Sequence, residues 1–185
     1  MARSGMSNLI ARLRPMIDDV SSAVFTDNQL QTIMDLRKQR VYKEALQYEV
    51  TAVGAGTVEY KLYHSHYNDF EEGGTTYFQV CDSAGNQRGT ADYSVDYANG
   101  VVTMSADQHG TALYLTAWSY DLNGAAMVCW GERMSKAAMS YDVNLDGHNL
   151  SRSQMIAQCK TMSDYYAGKA KPRSARMWSN GVFEQ

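Results

Sequence analysis

The chain has 185 residues, 44% of them hydrophobic and 20% charged, with a formal net charge of −3. That length and apolar share support one domain with a real core. Cys81, Cys129 and Cys159 are odd in number, widely spaced and form no CxxC pair, which argues against a disulfide framework and for a reducing compartment. No apolar run approaches the roughly 18 residues a membrane span needs. Arg3, Arg12 and Arg14 are not joined to the apolar run of a signal peptide.

Charge is unevenly spread. From Glu44 to Asp121 eleven acids face two bases, Lys61 and Arg88, a balance of −9. From Lys169 to Arg176 there are four bases and no acid. The acidic middle argues against a general DNA-binding face, and a four-charge tail offers only weak, salt-sensitive contact with nucleic acid. Thirteen tyrosines and eleven methionines suit an interface-rich protein, and equally an ordinary core.

In chain order, Ser7 is placed to cap a first helix whose Leu9, Ile10, Leu13, Met16 and Ile17 repeat at three- and four-residue steps. Pro15 kinks or ends it. Thr26 and Gln29 spell a capping box for a second helix, with Phe25 and Leu30 as its staple and Asp27 at the positive end. That helix is expected to carry Ile33, Met34 and Val41, with Arg37, Lys38 and Arg40 near its C-terminal end.

From Leu46 the period changes to two. Tyr48, Val50 and Ala52 form one strand, Gly54-Ala55-Gly56 a turn, and Val58, Tyr60 and Leu62 the next strand. Thr76–Cys81, Val101–Met104 and Thr111–Trp118 read as further strands, with turns at Asp82–Asn86 and Asn99-Gly100. Helix returns near Tyr120 with Leu122, Ala126, Cys129, Met134, Ala137 and Tyr141 on one face. Gly124 and Gly131 within it suggest close backbone approach by a neighbour, because each costs roughly 1 kcal/mol against alanine. Asn149 or Ser151 caps a last helix with Met155, Cys159, Met162 and Tyr166 inward, ended by Gly168 and Pro172. The expected fold is α+β: a bundle of about four helices with an inserted small antiparallel sheet and an extended C-terminal tail. The segments are 7–45 (N-terminal helices), 46–118 (β insertion), 119–168 (helical hairpin) and 169–185 (docking tail).

Chemistry-bearing patterns are sparse. Asp142-x-Asn144-x-Asp146-Gly147 opens like a calcium loop, but its twelfth position is Ser153 where a bidentate acid is needed, so it reads as a polar turn. His64 and His66 share a strand face and resemble half a metal site, yet no third His or Cys lies nearby, and a polar strand face is the preferred reading. His109 near Asp107 has no nucleophile elbow, Glu71-Glu72 reads as an acidic turn, and no phosphate-binding glycine loop occurs. No catalytic, metal or cofactor residue is assigned, and the chain reads as a non-enzyme. The tail is either a solvated end or a docking arm in which Lys169, Lys171, Arg173 and Arg176 meet acidic partner surface while Trp178 or Phe183 fills a pocket.

Four segments in order resemble the head–tail connector (adaptor, or head-completion) proteins of tailed bacteriophages. They are Leu9–Asp18, Phe25-Thr26-Asp27-Asn28-Gln29-Leu30, Val58-Glu59-Tyr60 through Asp69-Phe70-Glu71, and Tyr120-Asp121-Leu122 with Ala125-Ala126 followed by Ser151-Arg152-Ser153-Gln154. Trp130-Gly131 departs from the more regular helix of many relatives, and the inserted sheet is long. The resemblance implies a virion structural protein of the neck, assembled in the host cytoplasm. It implies a homo-oligomeric ring, typically dodecameric, under the portal protein. It further implies that genomic DNA passes through the lumen without specific binding, that a stopper or tail-completion protein docks below and that no membrane is involved. It makes Lys169, Lys171, Arg173, Arg176, Trp178 and Phe183 the portal-contact residues. The alternatives are another neck component, such as a stopper or tail-completion protein, and a metal-binding module built on His64 and His66.

Overall fold

The computed structural model of the chain describes residues 2–54, 56–139, 143–145, 148–150 and 152–171. A 3-10 turn, Ser4–Met6, leads into α1 (Ser7–Met16) and α2 (Asp27–Asp35). Then come β1 (Lys38–Ala45), β2 (Gln47–Gly54), β3 (Thr57–His64), the single turn α3 (Gly74–Tyr77), β4 (Phe78–Asp82), β5 (Tyr93–Asp96), β6 (Val101–Met104) and β7 (Leu113–Tyr120). The chain continues with α4 (Leu122–Ala138), the short strands β8 (Val143–Leu145) and β9 (His148–Leu150), and α5 (Arg152–Ala167).

This overturns the expected bundle with a small inserted sheet. The chain is about 38% helix and 30% strand, with antiparallel sheets of three strands (β1-β7-β4) and four strands (β2-β3-β6-β5). Val41, Phe78, Val80, Leu113, Leu115 and Ala117 of the first sheet share one buried core with Tyr63, Val102 and Met104 of the second. The β segment is thus a sandwich with its own core, formed where two inner faces meet. A second core joins α1, α2 and α4 through Leu9, Leu13, Phe25, Leu30, Met34, Ala126, Cys129 and Trp130.

The main error lies at residues 36–45. The second helix stops at Asp35, and Lys38–Ala45 is a strand paired with β7, Val41 opposite Ala117. The stretch is short, has β-branched and aromatic residues at Val41 and Tyr42, and its basic residues suit a helix end and an edge strand alike. Tertiary pairing with β7 decided the state. Strand β5 was also missed; its four residues alternate half-buried with exposed.

Local signals held elsewhere. Thr26 and Gln29 form the full capping box: Gln29 N–H donates to Thr26 Oγ1 at 3.3 Å, and Thr26 N–H donates to Gln29 Oε1 at 2.8 Å. Ser7, by contrast, is not a cap; its hydroxyl donates to Ser4 O at 3.0 Å inside the first turn. Pro15 sits in the last turn of α1, where the helix is already ending. The glycines of α4 are not sites of neighbour approach either. A Cβ on Gly131 would meet nothing within 4 Å, and one on Gly124 would strike the helix's own cap, Asp121 Oδ2, at 2.2 Å. On α5, Cys159 is buried as expected, Met162 and Tyr166 lie against the helical core, and Met155 is exposed. Tyr141, Ser151 and the residues of the calcium-like pattern other than Asn144 lie outside the described residues, and Asn144 stands in β8.

Candidate functional site

Strand β7 runs from the sandwich core directly into α4, and the junction Ser119-Tyr120-Asp121 meets two further buried polar residues, Asp69 and Glu71. Asp121 caps α4 by accepting from Gly124 N–H at 2.9 Å, which its short acid side chain and the glycine at that step allow. The other carboxylate oxygen of Asp121 accepts from Lys171 N–H at 3.1 Å. Lys171 Nζ donates to Ser119 Oγ at 3.3 Å and to Tyr120 O at 3.4 Å. Burial pulls the Lys171 amine below its usual range, and the Asp69 and Asp121 carboxylates oppose that. The last described residue of the basic segment is therefore pinned to the seam between sandwich and helices.

Asp69 completes this seam. It is buried, has a left-handed φ of 59°, and donates its N–H to Ala98 O while its carbonyl accepts from Tyr120 N–H. Arg12 Nη1 lies 2.5 Å from Asp69 Oδ1, a contact of charge rather than of a well-aimed hydrogen bond. Burial raises the Asp69 carboxyl above the ordinary carboxylate value, against the pull of Arg12 and Lys171.

A second cluster locks the N-terminus across the seam. Arg3 donates to Asp35 from Nη1 (3.0 Å) and Nη2 (2.8 Å), and to Glu71 Oε1 from Nε (2.8 Å). Tyr120 hydroxyl donates to Glu71 Oε2 at 2.5 Å. Glu71 is thus a buried ion-pair residue and not part of an exposed acidic turn. Nothing in the sequence neighbourhood of Arg3 signals this, because its partners stand 32 and 68 positions away.

Among the described residues two sheet surfaces stand out as exposed. The first is the β2–β3 hairpin. All eight residues of β2 are exposed, Val50, Val53 and Val58 are 51%, 54% and 41% exposed, and β6 pairs only with Leu62–His64 of β3. Most of the hairpin therefore projects beyond its sheet. The second is the outer face of β1-β7-β4, where Lys38, Arg40 and Lys43 stand beside Tyr42 and Tyr114, with Trp118 at its border half-buried against the helical core. Arg40 lies 5.9 Å from the Trp118 ring and 5.5 Å from Tyr42, and Lys43 lies 5.8 Å from Tyr42. Sequence reasoning missed this face because it placed these bases on a helix; their alternation is legible only once residues 38–45 are read as a strand.

The remaining candidates separate rather than converge. His64 Nε2 is 2.9 Å from Glu49 Oε2, while His66 Nδ1 is 3.0 Å from Glu44 Oε1, so each ring has its own carboxylate. No group of three or more His, Cys, Asp or Glu side chains is placed to hold a metal among the described residues. Asp107 Oδ1 accepts from the N–H groups of Tyr60 and His109, a loop-tying role. Of the tail residues, Lys171 is pinned as above and Lys169 lies over the Tyr165 ring at 4.0 Å. Arg173, Arg176, Trp178 and Phe183 lie outside the described residues.

No family model matches the sequence, and no curated protein matches it.

Proposed function

We propose that the chain is a head–tail adaptor of a tailed bacteriophage: a structural subunit that assembles as a ring beneath the portal, extends the DNA channel and docks the stopper or tail. The observation that carries this reading is the pinned origin of the basic segment. Lys171 is held by Asp121 and Ser119 at the seam, so the basic segment is fixed to the frame at its last described residue. A docking arm gains from such an anchor, because a fixed origin lowers the ordering cost of binding. The ordered motifs Phe25–Leu30, Asp69–Glu71 and Tyr120–Ala126 add support: they supply the capping box, the buried pair residue Glu71 and the α4 cap Asp121.

The two-sheet sandwich favours one alternative, a stopper or tail-completion protein, since those neck components tend to be rich in strand. Cryo-electron microscopy of the chain mixed with its portal, beside a variant ending at Gly168, tests both. A full-length ring on the portal that the truncation fails to form supports the adaptor with a docking arm. A ring formed by both keeps the adaptor and removes the arm. Binding only to a preformed adaptor ring, and not to the portal, supports the stopper reading.

A further inference from the structure

We infer that the outer face of β1-β7-β4 is a docking surface for single-stranded nucleic acid, whose phosphates meet Arg40 and Lys43 while one base enters a recess beside Tyr42. The strand register builds this face. Val41 turns inward opposite Ala117, so Lys38, Arg40 and Tyr42 point outward along β1. Thr116 and Tyr114 point outward from β7, and their partners Gln79 and Cys81 do so from β4. The β-bulge between Val41 and Glu44 brings Lys43 to the same recess, where its N–H donates to Thr116 Oγ1 at 3.2 Å.

Charge selects an anionic partner. Among the described residues Arg40 and Lys43 have no acidic partner, and their cations lie against aromatic rings. Lys38 shares Asp35 with Arg3. The nearby acids are committed elsewhere. Asp82 accepts from Ala84 and Asn86 N–H at 2.9 Å each, and Glu44 accepts from Ser65 Oγ and His66 N–H. The three bases also precede the acid-rich stretch that begins at Glu44.

The recess selects a nucleotide over an acidic protein segment. Its volume is about 380 Å³, and it lies between Arg40, Tyr42, Gln79, Cys81, Tyr114 and Thr116. Among the described residues no Val, Leu, Ile, Met or Phe lines it, so it lacks the aliphatic wall that an apolar protein anchor fills. Rings, hydrogen-bonding side chains and cations stand there instead, the combination on which single strands stack their bases and neutralise their phosphates. Tyr42 is 65% exposed, with Arg40 and Lys43 at 5.5 and 5.8 Å from its ring. One nucleotide can therefore lay its base on the ring while its phosphate meets a cation. A duplex keeps its bases stacked inside and cannot use this ring. Charges on an edge strand also deter pairing by another chain, but that role needs neither ring nor recess. The surface is independent of the adaptor reading.

Fluorescence anisotropy of a labelled oligothymidylate of about 12 nucleotides, within the span that single-strand modules cover, provides the test. It uses the full-length chain across a salt series, with circular dichroism as the folding control. The parent is expected to bind with an affinity that falls as salt rises. R40A/K43A should weaken binding at least about tenfold and lower the slope of log affinity against log salt by about 1.4, the share of two phosphate contacts on a single strand. Y42A should weaken binding about fivefold or more through lost stacking and leave that slope unchanged. R173A/R176A, in the basic tail, should bind as the parent does. No binding by the parent at low salt overturns the proposal. So does a loss caused by R173A/R176A and not by R40A/K43A, which moves the contact to the tail. Equal binding by the parent and folded Y42A, or of the single strand and a duplex of the same length, removes the stacking contact and also overturns it. If a labelled glutamate-rich peptide binds more tightly than the oligonucleotide, and R40A/K43A abolishes that binding, the face serves an acidic protein and the proposal fails.

Discussion

Arg3 and Glu71 face each other across 68 positions of sequence, Nε to Oε1 at 2.8 Å, with Glu71 buried and Arg3 about one-third exposed. The pair ties the extreme N-terminus to the segment between β3 and β4, and Tyr120 supplies the third member from β7. The helical core and the sandwich core meet here.

Removing Arg3 leaves a buried carboxylate with only the Tyr120 hydroxyl. Arg3→Ala is expected to cost about 2 kcal/mol, below the usual 3–5 for a fully buried pair because water reaches the arginine. Tyr120→Phe is expected to cost about 1.5 kcal/mol, the low end for a hydrogen bond to a charged group. Urea midpoints check both. The double variant tests the network: its cost should differ from the sum of the singles, since both residues bind Glu71.

Arg14 and Asp19 form a knot between α1 and α2. Arg14 reaches Asp19 Oδ2 (3.1 Å), Asp19 O (3.0 Å), Phe25 O (3.3 Å) and Asp27 Oδ1 (2.5 Å), while Asp19 accepts from the N–H groups of Val24 and Phe25 at 3.0 Å. Burial alone would raise the Asp19 carboxyl, but the backbone N–H groups of Val24 and Phe25 and the Arg14 charge outweigh it and hold the group below its ordinary value of 3.8. The folded value lies below the unfolded one, so this stabilisation is present above pH 3.8 and is lost as pH falls through the folded value. Asp35 behaves alike: burial opposes, and Arg3 and Lys38 win. An acid titration followed by circular dichroism should show loss of stability beginning below about pH 4. Arg14→Lys should cost about 2 kcal/mol at neutral pH, because an ammonium cannot reach four acceptors on two sides.

The glycines of α4 make opposite predictions. Gly131→Ala places a methyl in open space on a helix and should stabilise by about 0.5–1 kcal/mol. Gly124→Ala drives the cap carboxylate of Asp121 away and should cost about 1–2 kcal/mol through the lost cap. It should also release Lys171, whose backbone N–H shares that carboxylate. Thermal melts give the signs, and tryptic cleavage after Lys169 reports the released segment, since the Lys171–Pro172 bond resists trypsin.

Asp69 combines a left-handed backbone with a buried, upshifted carboxyl. Between the unfolded value of 3.8 and its higher folded value the unfolded state is the more ionised, so stability falls as pH rises through that window and the cost persists above it. Asp69→Asn keeps the shape and tolerates the φ of 59°, and should change stability at pH 7 by less than about 1 kcal/mol. Asp69→Val should be far worse, roughly 3 kcal/mol, since a β-branched residue is strained at that φ. Denaturant midpoints at two pH values separate the backbone effect from the charge.

Signals confined to a few neighbouring residues were legible in the chain alone. The capping box at Thr26, the strand β6, the hairpin β2–β3 and helix α4 all follow from local pattern, because a cap or a period is decided by residues within one or two turns. The charge asymmetry that sets the basic tail against the acidic middle is likewise a property of sequence. Tertiary structure decided the rest. Lys38–Ala45 became a strand because β7 was there to pair with it, and the supposed small insertion became a sandwich because two inner faces had a core to share. Arg3, Glu71 and Tyr120 met, and Lys171 found Asp121, through contacts spanning 49 to 117 positions. No local propensity encodes such pairs; they exist only where packing closes the intervening chain into one place and makes an unpaired buried charge too costly to leave.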